Sequence, residues 1–423
     1  MMKKYFYLFL ILMGCSLIDD RPNEIEDFIP ANSSIIINIH NLGKFKSDIK
    51  NNEILSEIRS LQSKYNTKRQ FELINNFKDE TELLICLSKN NNEEVFTIIT
   101  KDSLKKNDVF HKRVDKINIY SNSLTSINEI QISTNKEFKK YEKIFDKNSS
   151  FSLILNKEFS KYFINSTFNV NYETYENSLG FGVNVFNDKV LLNGLSFLDD
   201  SIKTSNNIFK ESSNSELINY EIIPKKSTSF KSYNFKKRHN YLKNTSIEYD
   251  KESRFSEILN NNSKEITEIQ IGSEEIFIVR LDQIKLFENY LITKNTINTE
   301  HRGFKIYNNT DLTTNPFISF AKFNNKEKIL LYKDYIIFSN NELALEELIN
   351  DNLNKNTLKN DSSFDNLFSE ISNFSTLNNS YFSGSNYNFF KELNLLDIEN
   401  DFTENSFQLV QDNEIIHFNA IIS

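Results

Sequence analysis

The sequence has few of the residues from which common catalytic and cofactor sites are built. Its 423 residues include no tryptophan, eight glycines, two cysteines and five histidines. Gly180-Phe181-Gly182 is the nearest approach to a phosphate-binding loop, but it lacks the third glycine and the strand-to-helix context that such loops need. Ser383-Gly384-Ser385 lacks the flanking glycines of the G-x-S-x-G nucleophile turn, which argues against an acyl-transfer hydrolase.

Metal and thiol chemistry has equally little support. No histidine stands three or four residues from another and no C-x-x-C motif is present, so a metal site would need distant residues gathered by the fold. Cys86 lies in the apolar stretch 83–87, which predicts a small buried side chain rather than a reactive thiol. We therefore predict no catalytic residue, no metal site and no cofactor. The histidines are His40, His111, His239, His301 and His417.

The charge balance argues against a nucleic-acid-binding protein. The formal charge is −8, whereas a general nucleic-acid-binding protein normally presents a net basic field, so we predict no nucleic-acid partner. The chain is polar, with a mean hydropathy of −0.49, but 37 phenylalanines and 18 tyrosines supply large apolar area. We therefore expect a folded body, with room for two or three domains of roughly 100 to 200 residues each.

The N-terminus carries the clearest functional signal. Lys3 and Lys4 precede an unbroken apolar run of nine residues from Tyr5 to Met13, which is followed by Gly14-Cys15. This run is far short of the roughly 20 residues that span a bilayer, so it fits the apolar region of a removed secretory signal better than an anchor helix. An unprocessed strand or a short membrane helix is the alternative.

This N-terminal segment resembles the signal peptide of bacterial lipoproteins, in which a small residue precedes the lipidated cysteine. The resemblance implies removal of residues 1–14, diacylglycerol on the sulfur of Cys15 and a third acyl chain on its new amino group. Residues 15–27 then form an acidic tether, in which Ser16 and Asp19-Asp20 resemble the export signal of Bacteroidota surface lipoproteins. We expect a cell-envelope protein that its lipid anchors to the periplasmic face of the outer membrane or to the cell surface.

The body repeats a pattern of turn, strand and amphipathic segment. Pro30 precedes the first such strand and Pro224 precedes its counterpart; they stand 194 residues apart, and the chain ends 199 residues after the second. Each half closes on a hairpin with an Asn/Asp-rich turn, at 183–197 and at 407–422. The repeat predicts two tandem homologous halves, 28–217 and 218–423.

The turn that opens each half resembles that of a family of uncharacterised bacterial lipoproteins. The resemblance implies an α+β fold with mostly antiparallel sheets and helices packed on one face. It implies no activity and no catalytic residues.

One basic and aromatic segment is the candidate interaction surface. Its cations alternate with Phe230, Tyr233, Phe235 and Tyr241, and rings between cations can stack on bases or sugars. The simpler interpretation is a core-facing aromatic stripe beneath a solvated basic face, because the repeat places a helix here. The alternative is a site for an acidic polymer or a lipid headgroup. The cations are Lys225, Lys226, Lys231, Lys236, Lys237 and Arg238.

The anchor, together with the lack of a catalytic motif, predicts a non-enzymatic binding or scaffolding protein whose partner is an envelope protein or polymer. The alternative is a capture protein for carbohydrate or peptide in an uptake system, against which the missing tryptophan counts. An enzyme that assembles its site from scattered Asp, Glu and His is a third class that the sequence leaves open. Asp102-Ser103-Leu104 and Asp200-Ser201-Ile202 resemble the Bacteroidota O-glycosylation sequon, although such tripeptides also occur by chance.

Replacing the predicted lipidated cysteine tests the anchor. Two or three acyl chains hold a protein stably at a membrane, whereas one chain holds it only marginally. In the Cys15→Ala variant the body should therefore leave the membrane fraction, which fractionation and immunoblotting would measure. Cys86→Ala is the matched control and should remain membrane-bound. A Cys15→Ala protein that still sediments with membranes after a high-salt wash would contradict the lipid anchor.

Overall fold

The structure is a computed structural model of the chain, and it describes thirteen stretches of the sequence together with Arg238. These stretches begin at Glu24 and end at Ser423, with gaps between them. They are 24–53, 73–90, 93–104, 109–133, 135–168, 175–197, 215–236, 253–294, 297–310, 326–372, 374–382, 404–412, 415–423 and the single residue 238, which stands by itself.

Eight strands of the first half form one antiparallel array. The strand order across the sheet is β4-β5-β3-β2-β1-β6-β7-β8. These strands are rich in isoleucine, leucine and valine, whose branched side chains suit a pleated surface covered by other groups. Their bounds are β1 Ile35–Ile39, β2 Leu83–Asn90, β3 Glu93–Thr100, β4 Phe110–Val114, β5 Ile117–Ser121, β6 Phe151–Leu155, β7 Leu179–Val185 and β8 Val190–Phe197.

The second half repeats this strand order with one hairpin added at the outer edge. Its order is β13-β14-β15-β16-β12-β11-β10-β18-β19-β20, and two short strands, β9 Ser215–Glu216 and β17 Phe374–Ser375, pair separately. The other bounds are β10 Ser229–Asn234, β11 Ser263–Ile271, β12 Glu274–Leu281, β13 Ile297–His301, β14 Phe304–Asn308, β15 Lys328–Tyr332, β16 Tyr335–Ser339, β18 Leu377–Tyr381, β19 Asn405–Asp412 and β20 Ile415–Ile422.

The two arrays meet along β8 and β20, which pair antiparallel over their full length from Val190↔Ile422 to Phe197↔Ile415. The result is one continuous sheet of 18 strands. The predicted α+β class with antiparallel pairing is confirmed. Both closing hairpins were placed correctly, and they are the elements that join the halves. The two halves share a strand order, which describes how their strands are connected. The origin of the halves by duplication stays a prediction.

Helices lie on both faces of the sheet, which corrects the expectation that they pack on one. The front face carries α2 Leu124–Glu129, α3 Lys136–Glu142, α7 Glu342–Leu353 and α8 Ser362–Ser369, with the 3-10 turns η1 Ile25–Phe28, η2 Asn219–Glu221 and η3 Leu358–Asn360. The back face carries α1 Leu42–Asn51, α4 Lys157–Phe168, α5 Arg254–Asn262 and α6 Ile284–Lys294. A central sheet covered on both faces needs apolar residues at successive positions, as in β16, where Tyr335, Ile336, Ile337 and Phe338 are all buried.

Asparagine begins several of these helices. The side-chain oxygens of Asn41, Asn135 and Asn341 accept hydrogen bonds from the backbone N–H groups of Lys44, Phe138 and Leu343, at 2.8, 2.9 and 3.0 Å. An asparagine at this position satisfies one of the free N–H groups at a helix start. Part of the high asparagine content therefore has a structural use.

The body begins earlier than the sequence predicts. Ile25 and Phe28 are buried in the front-face core of the first half, beside Phe138 and Tyr141 of α3. Residues 25–27, predicted to belong to the tether, are therefore part of the folded body.

The back-face core crosses the joint between the halves. Phe418 of β20 is fully buried, and its ring packs at 5.1, 6.0 and 5.0 Å from the rings of Phe163, Phe168 and Phe181. A strand of the second half thus completes the core beneath α4 of the first. The halves share both backbone pairing and apolar packing.

Truncating Phe418 tests this shared core. Removing a buried phenylalanine ring typically costs about 3–5 kcal/mol, because transfer energy is lost and a cavity remains. We expect Phe418→Ala to lower the free energy of unfolding by this amount in urea denaturation. Phe374→Ala, which truncates a ring that is 51% exposed, is the matched control and should change it by about 0.5 kcal/mol or less. Equal effects of the two substitutions would contradict a core shared across the joint.

Candidate functional site

At the joint between the halves the described residues cover the front face only in part. We call this surface the central strip and define it by seven side chains of the two joining strands that point to the front. Asn193 is exposed and the other six are half-buried. The strip consists of Leu191, Asn193, Leu195 and Phe197 of β8 and of Ile415, His417 and Asn419 of β20.

Alternating apolar and polar residues give the central strip a mixed character. Asn193 lies directly opposite Asn419, and Leu195 opposite His417. Each amide offers both donors and acceptors, and the leucines beside them offer apolar area. A surface of this kind can bind a partner through hydrogen bonds flanked by apolar contacts.

The two asparagines belong to a row of polar and small residues that crosses nine strands. Each member lies directly opposite the next in the strand register, and all of them point to the front face. All are buried except Asn193 and Asn419 in the middle of the row. The row therefore reaches solvent only at the central strip. Its members are Asn38, Ser152, Gly182, Asn193, Asn419, Gln408, Asn378, Ser232 and Thr267.

Residues of the two halves lie on opposite sides of the central strip. On the first-half side the ring of Tyr141 lies 5.5 Å from the ring of Phe197, and Lys140 Nζ lies 4.0 Å from the centre of the Phe197 ring. On the second-half side Gln408 Nε2 donates to the carbonyl of Ser372 at 2.6 Å, and the Ser372 N–H donates back to Gln408 Oε1 at 3.0 Å. These contacts fix α3 and the segment after α8 beside the strip.

The cations of the predicted basic surface do not form one exposed face. Lys231 lies in β10, where the sequence predicted a helix, and is 7% exposed; Arg238 is fully buried and donates to Asn260 Oδ1. Lys226 is held by Glu347 at 2.5 Å and by Asp351 at 3.3 Å. Two of the six cations are therefore inside the protein, and a third is neutralised by carboxylates.

The remaining three cations of that prediction are scattered. Lys225 is half-buried, with its ammonium 3.9 Å from Asp361 Oδ2, and Lys236 is exposed. Lys237 lies outside the described residues. A strand explains the difference, because alternate residues of β10 point to opposite faces and Lys231 points to the covered back face.

On the back face Lys231 belongs to a buried group of two cations and two anions. Its ammonium lies 3.9 Å from Glu268 Oε2, and Lys326 Nζ lies 2.7 Å from Glu275 Oε2. Burial lowers the pKa of Lys231 and raises the pKa of Glu268. Each cation has a carboxylate nearby, so this group neutralises itself and serves as a structural element of the back face.

A buried carboxylate lies beside the end of the polar row, next to Thr267. Glu265 Oε2 accepts from the backbone N–H groups of Ile218 and Asn219 at 3.0 and 3.1 Å, and Oε1 accepts from the Ser232 hydroxyl at 3.2 Å. Burial, opposed by these hydrogen bonds and by Arg280, raises the pKa of Glu265 to about 7. Glu265 thereby fixes η2, the turn that begins the second half.

The other candidate residues show no assembled chemistry. Cys86 is buried in β2, as predicted, and burial raises the pKa of its thiol to about 12. Within the described stretches no three His, Cys, Asp or Glu side chains are gathered as a metal site, and no helix there is long and apolar enough to cross a membrane. Ser103 is exposed; Cys15 and Ser201 lie outside the described residues.

The central strip was missed in the sequence, although its two strands were predicted as hairpins. The available signal was in 415–419, where His417 and Asn419 alternate with the apolar residues Ile416 and Phe418; 191–197 contains the single amide Asn193. Such alternation marks a half-buried strand, but it does not say that two distant strands pair with each other.

Comparisons with known proteins add no functional information. No protein-family model matches the sequence, and no curated protein matches it. One solved structure that it resembles is described as "Structure of crystal form I of TP0453", with 8% sequence identity, a TM-score of 0.23, and coverage of 42% of this chain and 80% of that chain. A TM-score this low carries no argument about fold or function. Membership of a lipoprotein family therefore stays a prediction.

The raised pKa of Glu265 predicts a pH-dependent stability. A carboxyl group that is easier to protonate in the folded state stabilises it below the unfolded pKa and loses that contribution as the pH rises through about 7. Between about pH 5.5 and 8.5 this loss should be about 2 kcal/mol. Glu265→Gln keeps the shape without the charge, so its urea stability relative to the native protein should improve by that amount over the same range. A difference in the free energy of unfolding between the two proteins that stays constant with pH would contradict the raised pKa of Glu265.

Proposed function

We propose that this chain is a lipid-anchored protein of the cell envelope that binds a partner through the central strip and has no enzymatic role. The observation that carries the binding role is the strip itself. It is where the otherwise buried polar row reaches solvent, and it lies where the two halves meet. Binding sites often lie at such boundaries between structural units.

The sequence supplies the argument for the anchor. Cys15 stands only nine residues before Glu24, the first residue of the described body. Even fully extended, nine residues reach at most about 30 Å. A lipid on Cys15 would therefore keep the body close to the membrane, at the periplasmic face of the outer membrane or on the cell surface.

The make-up of the central strip favours a macromolecular partner. Seven side chains on two paired strands form a narrow open surface rather than an enclosed cavity, and small ligands are usually enclosed. Asn193 and Asn419 can each donate and accept hydrogen bonds, and Leu191, Leu195 and Phe197 add apolar contact. Amides beside apolar groups suit the edge or loop of an envelope protein, and this proposal commits to such a partner.

The second candidate function is capture of carbohydrate or peptide for an uptake system. The observation in its favour is the opposed pair Asn193 and Asn419, since paired amides can bind hydroxyl groups or a peptide backbone. The chemical nature of the bound species separates the two functions.

A photoreactive residue in the central strip tests the binding role. With p-benzoylphenylalanine in place of Asn193 in the full chain, illumination of intact cells should give a covalent adduct of defined mass, identified by mass spectrometry. The same residue in place of Ile292, which is 53% exposed on the back face, is the control and should give none. Asn193→Arg should lower recovery of the partner at least about tenfold, because a charge would be buried in the interface.

The outcomes separate the functions. An adduct with another envelope protein supports scaffolding, and an adduct with a polysaccharide or a short peptide supports capture. Equal adducts from both positions, or none from Asn193, would contradict the central strip as a binding surface.

A further inference from the structure

A cluster of four lysines lies on α3, outside the central strip but next to it. We call it the α3 lysine cluster and define it as Lys136, Lys139, Lys140 and Lys143. We propose that it is a docking surface for the anionic headgroups of the membrane to which the protein is anchored. The inference rests on the proposed lipid anchor, and it assigns the orientation of the body on the membrane.

The spacing of these lysines places them together. Residues three, four and seven apart lie on one side of a helix, and the four side chains line one shallow hollow of about 480 Å³ together with Ile144. Several ammonium groups around one hollow suit the phosphates of closely spaced headgroups.

Most of the charge of the α3 lysine cluster is available to a ligand. Lys136, Lys140 and Lys143 are exposed, and in the described part of the chain none of them lies within salt-bridge distance of a carboxylate. Lys139 is half-buried, with its ammonium 3.9 Å from Asp27 Oδ1. Three cations therefore face solvent without a paired anion.

The two acidic residues of α3 do not cancel this charge. Glu137 is exposed and accepts a hydrogen bond from the Ser178 hydroxyl. Glu142 is half-buried and lies close enough to Glu26 of η1 to help raise the pKa of that carboxyl, after the larger effect of burial. Three exposed lysines and one exposed glutamate therefore leave the outer side of α3 basic.

The N-terminal tether leads to this same part of the body. The backbone carbonyl of Asp27 accepts a hydrogen bond from the Ser133 N–H at 2.9 Å, and Ile25 and Phe28 pack with Phe138 of α3. The tether therefore joins the body directly beside α3. A lipid on Cys15 would hold this side of the protein, rather than the far side of the sheet, within about 30 Å of the headgroups.

A local basic surface also offsets the electrostatic repulsion between a negatively charged protein and an anionic membrane. The chain carries a net charge of −8, so an anionic membrane repels most of its surface. Basic side chains near an anionic leaflet each add attraction that decays within a Debye length. A basic cluster placed beside a lipid anchor provides the second signal that complements acyl chains. Ile144, which is 45% exposed at the rim of the hollow, can contact the headgroup layer.

Vesicle binding by the non-lipidated protein tests this docking surface. The full chain with Cys15→Ala is mixed with vesicles of phosphatidylcholine, with or without phosphatidylglycerol, and sedimented. We compare it with the same chain carrying Lys136→Gln, Lys140→Gln and Lys143→Gln, which leaves the Lys139 contact intact. The matched control carries Lys285→Gln, Lys294→Gln and Lys305→Gln, three exposed lysines of the second half.

The expected result is an at least tenfold loss of binding to phosphatidylglycerol vesicles for the α3 variant, since the removal of three basic residues near an anionic surface can lower binding roughly a hundredfold. The control should bind as the parent does, and added salt should abolish the difference. Equal binding by both variants would overturn the proposal. So would a loss seen only on an immobilised acidic polysaccharide, which would assign the cluster to a polymer.

This experiment is independent of the anchor, because all three proteins lack Cys15. Failure of the lipid anchor appears instead as unchanged fractionation of the Cys15→Ala protein in cells. Circular dichroism and the urea midpoint of each variant show whether it is folded.

Discussion

The backbone pairing of β8 with β20 is the interaction on which the rest of the structure depends. Eight residue pairs join two arrays that each end in a strand edge. An unpaired edge would expose backbone N–H and C=O groups that can pair with a strand of another protein molecule. Joining these edges within one molecule leaves β4 and β13 as the outer edges of the sheet in the described part of the chain. Because Phe418 of β20 also packs beneath α4, backbone pairing and apolar packing support the same joint.

This joint also explains where the protein can present a surface. Helices of each half cover the front of their own array, so the front of β8 and β20 is left between two helical layers. The polar row continues through the buried strands on either side, where Gln408 pairs with Ser372 and Asn378 donates to the Ser380 hydroxyl. At Asn193, which is exposed, and Asn419, which is half-buried, the row reaches solvent, and we propose that it binds another molecule there.

The α3 helix lies beside both the central strip and the start of the body, where the proposed lipid-anchored tether joins. Its buried residues Phe138 and Tyr141 pack on η1 and on Phe197, and its lysines face outward. If the tether holds α3 at the membrane, one end of the central strip lies close to the headgroups as well. A partner on the strip would then contact both the protein and the membrane surface. This geometry suits a scaffold that acts on neighbouring envelope components.

The sequence by itself determined much of the local structure of this protein, and it predicts a location in the cell envelope. Lys3, the apolar run and Gly14-Cys15 predict the lipid anchor without any fold, and the Asn/Asp-rich turns within 183–197 and 407–422 predicted hairpins that the structure contains. Only the tertiary structure decided which faces the helices cover, that β8 meets β20, and that Lys231 and Arg238 are buried. The physical reason is the sequence separation of the residues that interact. Helix caps, turns and the alternation of residues along a strand depend on neighbours within a few residues. Pairing between strands more than 200 residues apart, and the burial that follows from it, depends on the whole chain.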